Sequence, residues 1–236
     1  MPKKRRRDRL IELAHRPDWG IGYLDEVWWS RFALPQLRLW SDSDTPARLQ
    51  EKAAAAQDPD PKALACYGLW CDDRKAVLLS FVDGRPVSHV MTAFLEWIGE
   101  HLWQQGRKVL VLIWDNASWH VSTEVQTWIR EHNARAKRRG QGLRILVAGL
   151  PTKSPWLNKI EPKWKHGKEA IVEANRTVTA REVEECVCAY FDTVPQAHLV
   201  QRKERPAPAV KREAATKKAA QLQSQAAHAA KTQQAA

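Results

Sequence analysis

KVLVLIWD, residues 108–115, is the stretch that decides the fold. No polar residue interrupts it from Val109 to Trp114, so it lacks the alternation of a strand with one wet face. A strand buried on both faces is expected instead. Such a strand sits in the middle of a sheet with helices on either side, and Asp115 ends it abruptly. Just upstream, Val90, Met91, Phe94, Leu95, Ile98 and Leu102 recur at the spacing of one helix face. They predict a helix over about 89–105 with Ser88 as its N-cap. Downstream, Val121, Val125, Trp128 and Ile129 predict a second helix over about 119–133. A basic loop, RAKRRGQGLR (135–144), then leads into a neighbouring strand, RILVAGL (144–150).

Farther out, WGIGYLDEV (19–27) reads as a strand with Asp25 near its end. ALACYGLW (63–70) and KAVLLSFV (75–82) read as a hairpin joined by Cys71, Asp72, Asp73 and Arg74. The polar residues 41–62 between them read as an excursion or loop. Ser154 and Pro155 open a helix whose apolar stripe is Leu157, Ile160 and Trp164. Thr179 and Glu182 form a capping box for a last helix reaching about Phe191. Three strands, then helix, strand, helix, strand, helix predict a mixed α/β sheet flanked by helices over 17–195. A basic arm (1–16) containing a short helical stretch precedes it, and a flexible Ala/Gln/Lys-rich tail (196–236) follows.

The 236 residues are ample for a hydrophobic core, and 44% hydrophobic with 28% charged content is ordinary for a globular chain. No apolar run approaches the roughly 20 residues of a membrane span, and the basic start MPKKRRRDR leads into no apolar signal segment. A cytoplasmic, nucleoid-associated protein with no membrane partner is expected. Cys66, Cys71, Cys186 and Cys188 match no standard zinc spacing and are expected to be buried thiols. The net charge of +11 is localised. Residues 1–9 hold six Lys/Arg against Asp8, and residues 201–236 hold eight against Glu204 and Glu213. Inside the body, residues 130–168 hold eleven Lys/Arg against Glu131 and Glu161. One concentrated basic stretch in an otherwise acidic body predicts a polyanion-binding face.

Three carboxylates fall where such a sheet would gather them. Asp25 and Asp115 close two strands, and if those strands are neighbours their side chains converge. Glu161 lies inside the apolar stripe of its helix, and a carboxylate facing the protein body needs a partner. A cation shared with Asp25 and Asp115 would serve. Hard oxygen ligands favour Mg²⁺ or Mn²⁺, and two such ions about 3.5–4 Å apart suit phosphodiester chemistry.

LDEVWW (24–29), LIWDNASWH (112–120) and LPTKSPWLNKIEPKW (150–164) together resemble the three motifs of the DDE superfamily, nearest to bacterial insertion-sequence transposases related to mariner. The resemblance spans roughly 17–192. It implies a ribonuclease H-like core and a catalytic, metal-holding triad at Asp25, Asp115 and Glu161. It implies divalent-metal-dependent DNA cleavage and strand transfer by a homo-oligomer assembled on element ends and target DNA. Asn116 and Asn158 would either orient the carboxylates or contact phosphate, or else cap a helix or turn. His120 would either reach toward the scissile phosphate or sit buried and satisfied. Lys159 and Lys163, one helical turn apart, would clamp DNA phosphates with Lys153, and Arg135, Lys137, Arg138 and Arg139 would extend that track. Trp119 and Trp156 would either pack or wedge into distorted DNA.

Three features depart from the family pattern, the first being Lys159 at a site where that family usually has Pro, which a first helical turn tolerates. Asp115 and Glu161 are 46 positions apart (161 − 115), a longer separation than that group usually shows, and residues 135–144 accommodate the excess. The family's N-terminal helix-turn-helix region has no counterpart in the roughly 16 residues before the first strand. A catalytic half served by a separate helix-turn-helix subunit is therefore expected. The alternatives are a truncated remnant that only binds DNA, and a hybrid nuclease on the same fold.

Overall fold

The computed structural model describes residues 2–34, 52–173 and 176–200. Val109–Trp114 (β4) is buried at every position, as its composition requires. It lies between two parallel neighbours, Trp19–Ser30 (β1) and Arg144–Gly149 (β5). On the far side of β1 stand Ala63–Cys71 (β2) and Ala76–Asp83 (β3), each antiparallel to its predecessor. Leu199–Val200 (β6) completes a six-stranded mixed sheet in the order β5-β4-β1-β2-β3-β6. β6 falls inside the expected tail; residues 201–236 of that tail lie outside the described residues, as do 41–51 of the predicted excursion.

Strand alternation divides the core. Tyr23, Val27 and Trp29 of β1, with Val111 and Ile113 of β4, face one layer made by Pro2–Leu13 (α1), Glu161–Ala170 (α4) and Ala180–Tyr190 (α5). Leu24, with Leu110, Leu112 and Trp114, faces the other, made by Ser88–Gln104 (α2) and Thr123–Arg139 (α3). Among the described residues no helix is long and apolar enough to cross a membrane.

Several boundaries differ from the sequence reading, each for a local reason. β1 runs five residues past Asp25 because Val27 and Trp29 continue to pair with β2, opposite Cys66 and Leu64. Val87 occupies the N-cap position of α2, and Ser88 is its first helical residue. The residues expected as a basic loop, 135–139, are the last turns of α3. Ser122 caps that helix through the Val125 N–H, and nothing breaks it before Gly140, whose φ of 63° ends it. The helix expected from Ser154 is two pieces. Pro155–Leu157 makes one 3₁₀ turn, Asn158 leaves helical geometry, and α4 restarts at Glu161 with Pro162 in its first turn. The arm is a helix as well, since Leu10, Ile11 and the buried Ala14 pack it onto the core. Cys66, Cys71 and Cys188 are buried thiols; Cys186 is exposed on α5. The capping box of Thr179 and Glu182 forms as expected.

β6 is held by a charge bridge. His198 Nδ1 lies 2.8 Å from Asp83 of β3 and Nε2 lies 3.0 Å from Glu184 of α5. Burial pulls the imidazolium down, but these two carboxylates outweigh it and raise His198 above its ordinary value. A raised folded pKa stabilises fully below the unfolded value of about 6.5 and stops doing so as pH rises through the folded one. His198→Gln is therefore expected to lower the melting temperature by roughly 2–4 °C at about pH 5.5, about 1 kcal/mol. Once pH has risen through the raised folded value the two proteins should melt together. Paired melts on either side of that value check this, and an equal difference at both would remove the charge from the account.

Candidate active site

The registers of the central strands set the site. In the parallel pairing of β1 and β4, Tyr23 lies opposite Ile113. Two residues farther along each chain stand Asp25 and Asp115. β4 stops at Trp114 while β1 continues, so Asp115 turns free at the sheet's edge beside Asp25. Alternation with Tyr23 and Val27 points Asp25 at the α4 layer and points Glu26 at the α3 layer.

Glu161 is brought over Asp25 by a close approach of helix to strand. Gly68 is the β2 partner of Asp25, and a Cβ built on it would lie 2.3 Å from Cη2 of Trp164. Only the missing side chain lets the Trp164 ring, and α4 with it, settle onto the strand there. Asn158, buried just before α4, donates from Nδ2 to the Leu24 carbonyl at 3.2 Å, while its Oδ1 is buried without a partner.

Asp25 feels the charges of both Glu161 and Asp115, and Glu161 feels that of Asp115. Burial, then the charges of Glu26, Glu161 and Asp115, push the Asp25 carboxyl up to about 8. Glu161 is raised by burial first and by Asp115 and Glu26 next. Asp115 goes the other way, because His120 Nδ1 is bonded to its Oδ1 at 2.8 Å and the Ala117 N–H donates to the same oxygen at 2.9 Å. His120 is fully buried, stacked on Trp114 at 4.9 Å, with Nε2 3.4 Å from Glu26 Oε2. Its desolvation is overcome by those two carboxylates, which raise it to about 9. His120 is thus buried and bonded to Asp115 through Nδ1, while its Nε2 faces Glu26 Oε2 with no hydrogen bond between them.

Asp115 and Glu161 line a cleft of about 320 Å³, together with Asn116, Lys153, Ser154 and Asn158. Asn116 donates to the Leu150 carbonyl at 2.8 Å and accepts from Lys3 Nζ at 2.6 Å. Among the described residues no three His, Cys, Asp or Glu side chains already stand close enough to share an ion. The donor set nonetheless suits a hard divalent cation: three mutually repelling carboxylates and one unpartnered buried amide oxygen. Repulsion opposes closer approach of the carboxylates until positive charge lies between them.

The expected phosphate track divides. Lys153 is on the cleft, but Lys159 and Lys163 are not on one helix. Asn158 ends the helical turn, so Lys159 precedes α4 and reaches Asp72 at 2.7 Å, while Lys163 Nζ lies over the Trp70 ring at 4.4 Å. Both lie toward the start of β1, since the Asp72 N–H is bonded to the Ile21 carbonyl. Arg135, Lys137, Arg138 and Arg139 end α3, which is about 25 Å long at 1.5 Å per residue. The chain then enters β5, whose Arg144 pairs with Val109 at the start of β4, so this cluster occupies the end of the sheet opposite Asp115. Trp119 is half-buried against His120, whereas Trp156 is 73% exposed on the turn beside the cleft.

Sequence reasoning missed Glu26 and Lys3. The signal for Glu26 was present: an acidic residue inside an apolar strand, on the face opposite Asp25. Lys3 carried none, because its contact with Asn116 spans 113 positions.

A family model described as DDE superfamily endonuclease matches residues 21–184. No curated protein matches the sequence. Among solved structures, the Mos1 strand transfer complex is similar with a TM-score of 0.56 at 14% identity, over 81% of this chain and 52% of that one. The Mos1 mariner paired end complex with Mn gives 0.56 at 15% identity, over 81% and 54%. The catalytic domain of Mos1 mariner transposase gives 0.50 at 13%, over 82% and 80%. At these identities the likeness concerns the fold, and it is that of the expected ribonuclease H-like core. The chain spans about half the length of the first two.

Proposed function

This chain belongs to the DDE superfamily endonucleases, and from that premise we propose that it is a transposase catalytic domain that cleaves DNA and transfers the freed strand. The observation that carries the proposal is the placement of Asp25 and Asp115 at the same end of two adjacent parallel strands, with Glu161 close enough that its charge adds to the burial and the Glu26 charge raising Asp25. Residues 17–195 form the catalytic unit in this reading. Its partners are DNA, a second copy of the chain assembled on that DNA, and a separate helix-turn-helix subunit.

The three carboxylates, with Asn158 Oδ1 beside them, would hold Mg²⁺ or Mn²⁺, two ions in this reading; the similar Mos1 paired end complex with Mn supports that choice. A bound ion pair supplies activation of a water or 3′-hydroxyl nucleophile and stabilisation of the leaving oxygen of a phosphodiester. The protein does the rest. His120, with Glu26 facing its other ring nitrogen, holds the carboxylate of Asp115 from behind through Nδ1. Lys153 on the cleft rim offers a cation to a DNA phosphate. Asn116, tied to Leu150, shapes the cleft wall next to Asp115.

Incubating the chain with duplex DNA in Mg²⁺ or Mn²⁺ tests the proposal; metal-dependent nicking is the expected result. Salt-sensitive binding with no nicking would instead make it a DNA-binding remnant. Cleavage of an RNA–DNA hybrid but not of duplex would change the substrate. The positioning role of His120 has its own consequence. His120→Gln is expected to lower the nicking rate about 10- to 100-fold, the usual effect of losing a group that orients a metal ligand. Duplex affinity should not change, and a rate within a factor of two of wild type would sever His120 from the site.

A further inference from the structure

We propose that α1 is the DNA-backbone grip of this site, a cationic helix that delivers phosphates to the cleft mouth through Lys3, Lys4 and Arg6. The inference rests on the reading of the cleft as a DNA site. It begins from helix periodicity. Leu10, Ile11 and Ala14 attach α1 to the core against β4 and β5. Counting back along that face by 3.6 residues per turn reaches Arg7 and then Lys3, with Lys4 and Arg6 on its two flanks. The apolar half thus fixes where the basic half points. Lys3 arrives at Asn116, whose neighbour is Asp115, and its Nζ bonds the Asn116 Oδ1 at 2.6 Å.

The helix is electrostatically awkward by itself. Its first turn holds no acidic residue, although the N-terminus of a helix favours anions and disfavours cations. Lys3 with Arg6, Arg5 with Arg9 and Arg6 with Arg9 are like-charge pairs at helical spacing, each unfavourable by about 0.2–0.5 kcal/mol. Arg7 is relieved by Asp8 at 2.6 Å. Lys3, Lys4, Arg5, Arg6 and Arg9 remain exposed. A polyanion along the helix would satisfy both the dipole and the side chains. The acidic cleft gains from such a grip, because the cationic cluster at the end of α3 lies at the opposite end of the strands.

The test is anisotropy of a labelled duplex with the full chain, across about 50 to about 200 mM salt, comparing wild type with K3Q/K4Q/R6Q. Losing three phosphate contacts should make the slope of log affinity against log salt shallower by about 2.7. A fourfold rise in salt would then weaken the variant about 40-fold less than wild type. Melting temperature should not fall, since all three side chains are exposed. K137Q/R138Q/R139Q is the comparison at the far end, and it should keep most of the wild-type slope. An unchanged slope for the first variant, or an equal loss for the second, overturns the proposal. So does faster nicking by the first variant, which would make α1 a lid. Wild-type nicking is scored separately. Nicking with an unchanged slope removes only the grip, and a changed slope without nicking removes only the proposed catalysis.

Discussion

Asp115→Ala is expected to abolish metal-dependent nicking, by about 10³-fold or more, and to leave duplex binding intact. The magnitude follows from asking what one carboxylate contributes where phosphodiester charge develops. Loss of several kcal/mol of transition-state stabilisation, about 4 kcal/mol, is a factor of about 10³. The fold should survive, because Asp115 stands beyond the end of β4 and its side chain is 53% exposed. The change does remove one of the two carboxylates that keep His120 charged, the other being Glu26. Asp115→Asn separates the two effects. Its amide oxygen can still accept from His120 and from the Ala117 N–H, so local geometry is kept while the negative charge goes. Both variants should be inactive and both should melt near wild type. Full activity in either would end the assignment of Asp115. Activity in Asn but not in Ala would reduce its role to holding His120.

How much of this was legible depends on the range of the interaction that decides each element. β4 was readable because its signal is local: six apolar residues with no polar break. The side-by-side placement of Asp25 and Asp115 rests instead on register, Tyr23 of β1 opposite Ile113 of β4, because β1 runs on to Ser30 and does not end at Asp25. The capping box at Thr179 is equally local. Glu161 was placed on the right helix face but in the wrong helix. Whether the turn at Pro155 continues is decided by Asn158 reaching the Leu24 carbonyl, 134 positions away, which no periodicity reports. The track through residues 135–139 failed for a related reason. Nearness in sequence to Asp115 is not nearness in space, because α3 carries the chain some 25 Å from the site before β5 returns it. α1 shows the reverse. Its charge was plain, but only the packing of Leu10, Ile11 and Ala14 places that charge at the cleft.

Trp164→Ala should destabilise the protein by about 3–5 kcal/mol, the range for removing a large buried aromatic. The ring is 3% exposed and meets Trp29 and Phe191 edge to face at 6.0 and 5.4 Å, so its loss opens a cavity between α4, α5 and the sheet. Stability alone would not tie Trp164 to the site, but Gly68 does. Gly68→Ala by itself drives a methyl into the ring from 2.3 Å, and overpacking of that kind costs about 1–3 kcal/mol. With Trp164 already replaced by Ala, the same methyl enters space the ring has left. There the Gly68→Ala change should be neutral or slightly stabilising, since glycine inside a strand is itself unfavourable by about 0.5–1 kcal/mol. Denaturant melts of the four proteins in that cycle give the coupling directly. Strict additivity would mean the ring does not bear on Gly68, and the account of how Glu161 is held over Asp25 would fail with it. Under conditions where Trp164→Ala remains folded, its nicking should still fall, because Ile160 is then left to seat the start of the helix on Gly68 without the ring.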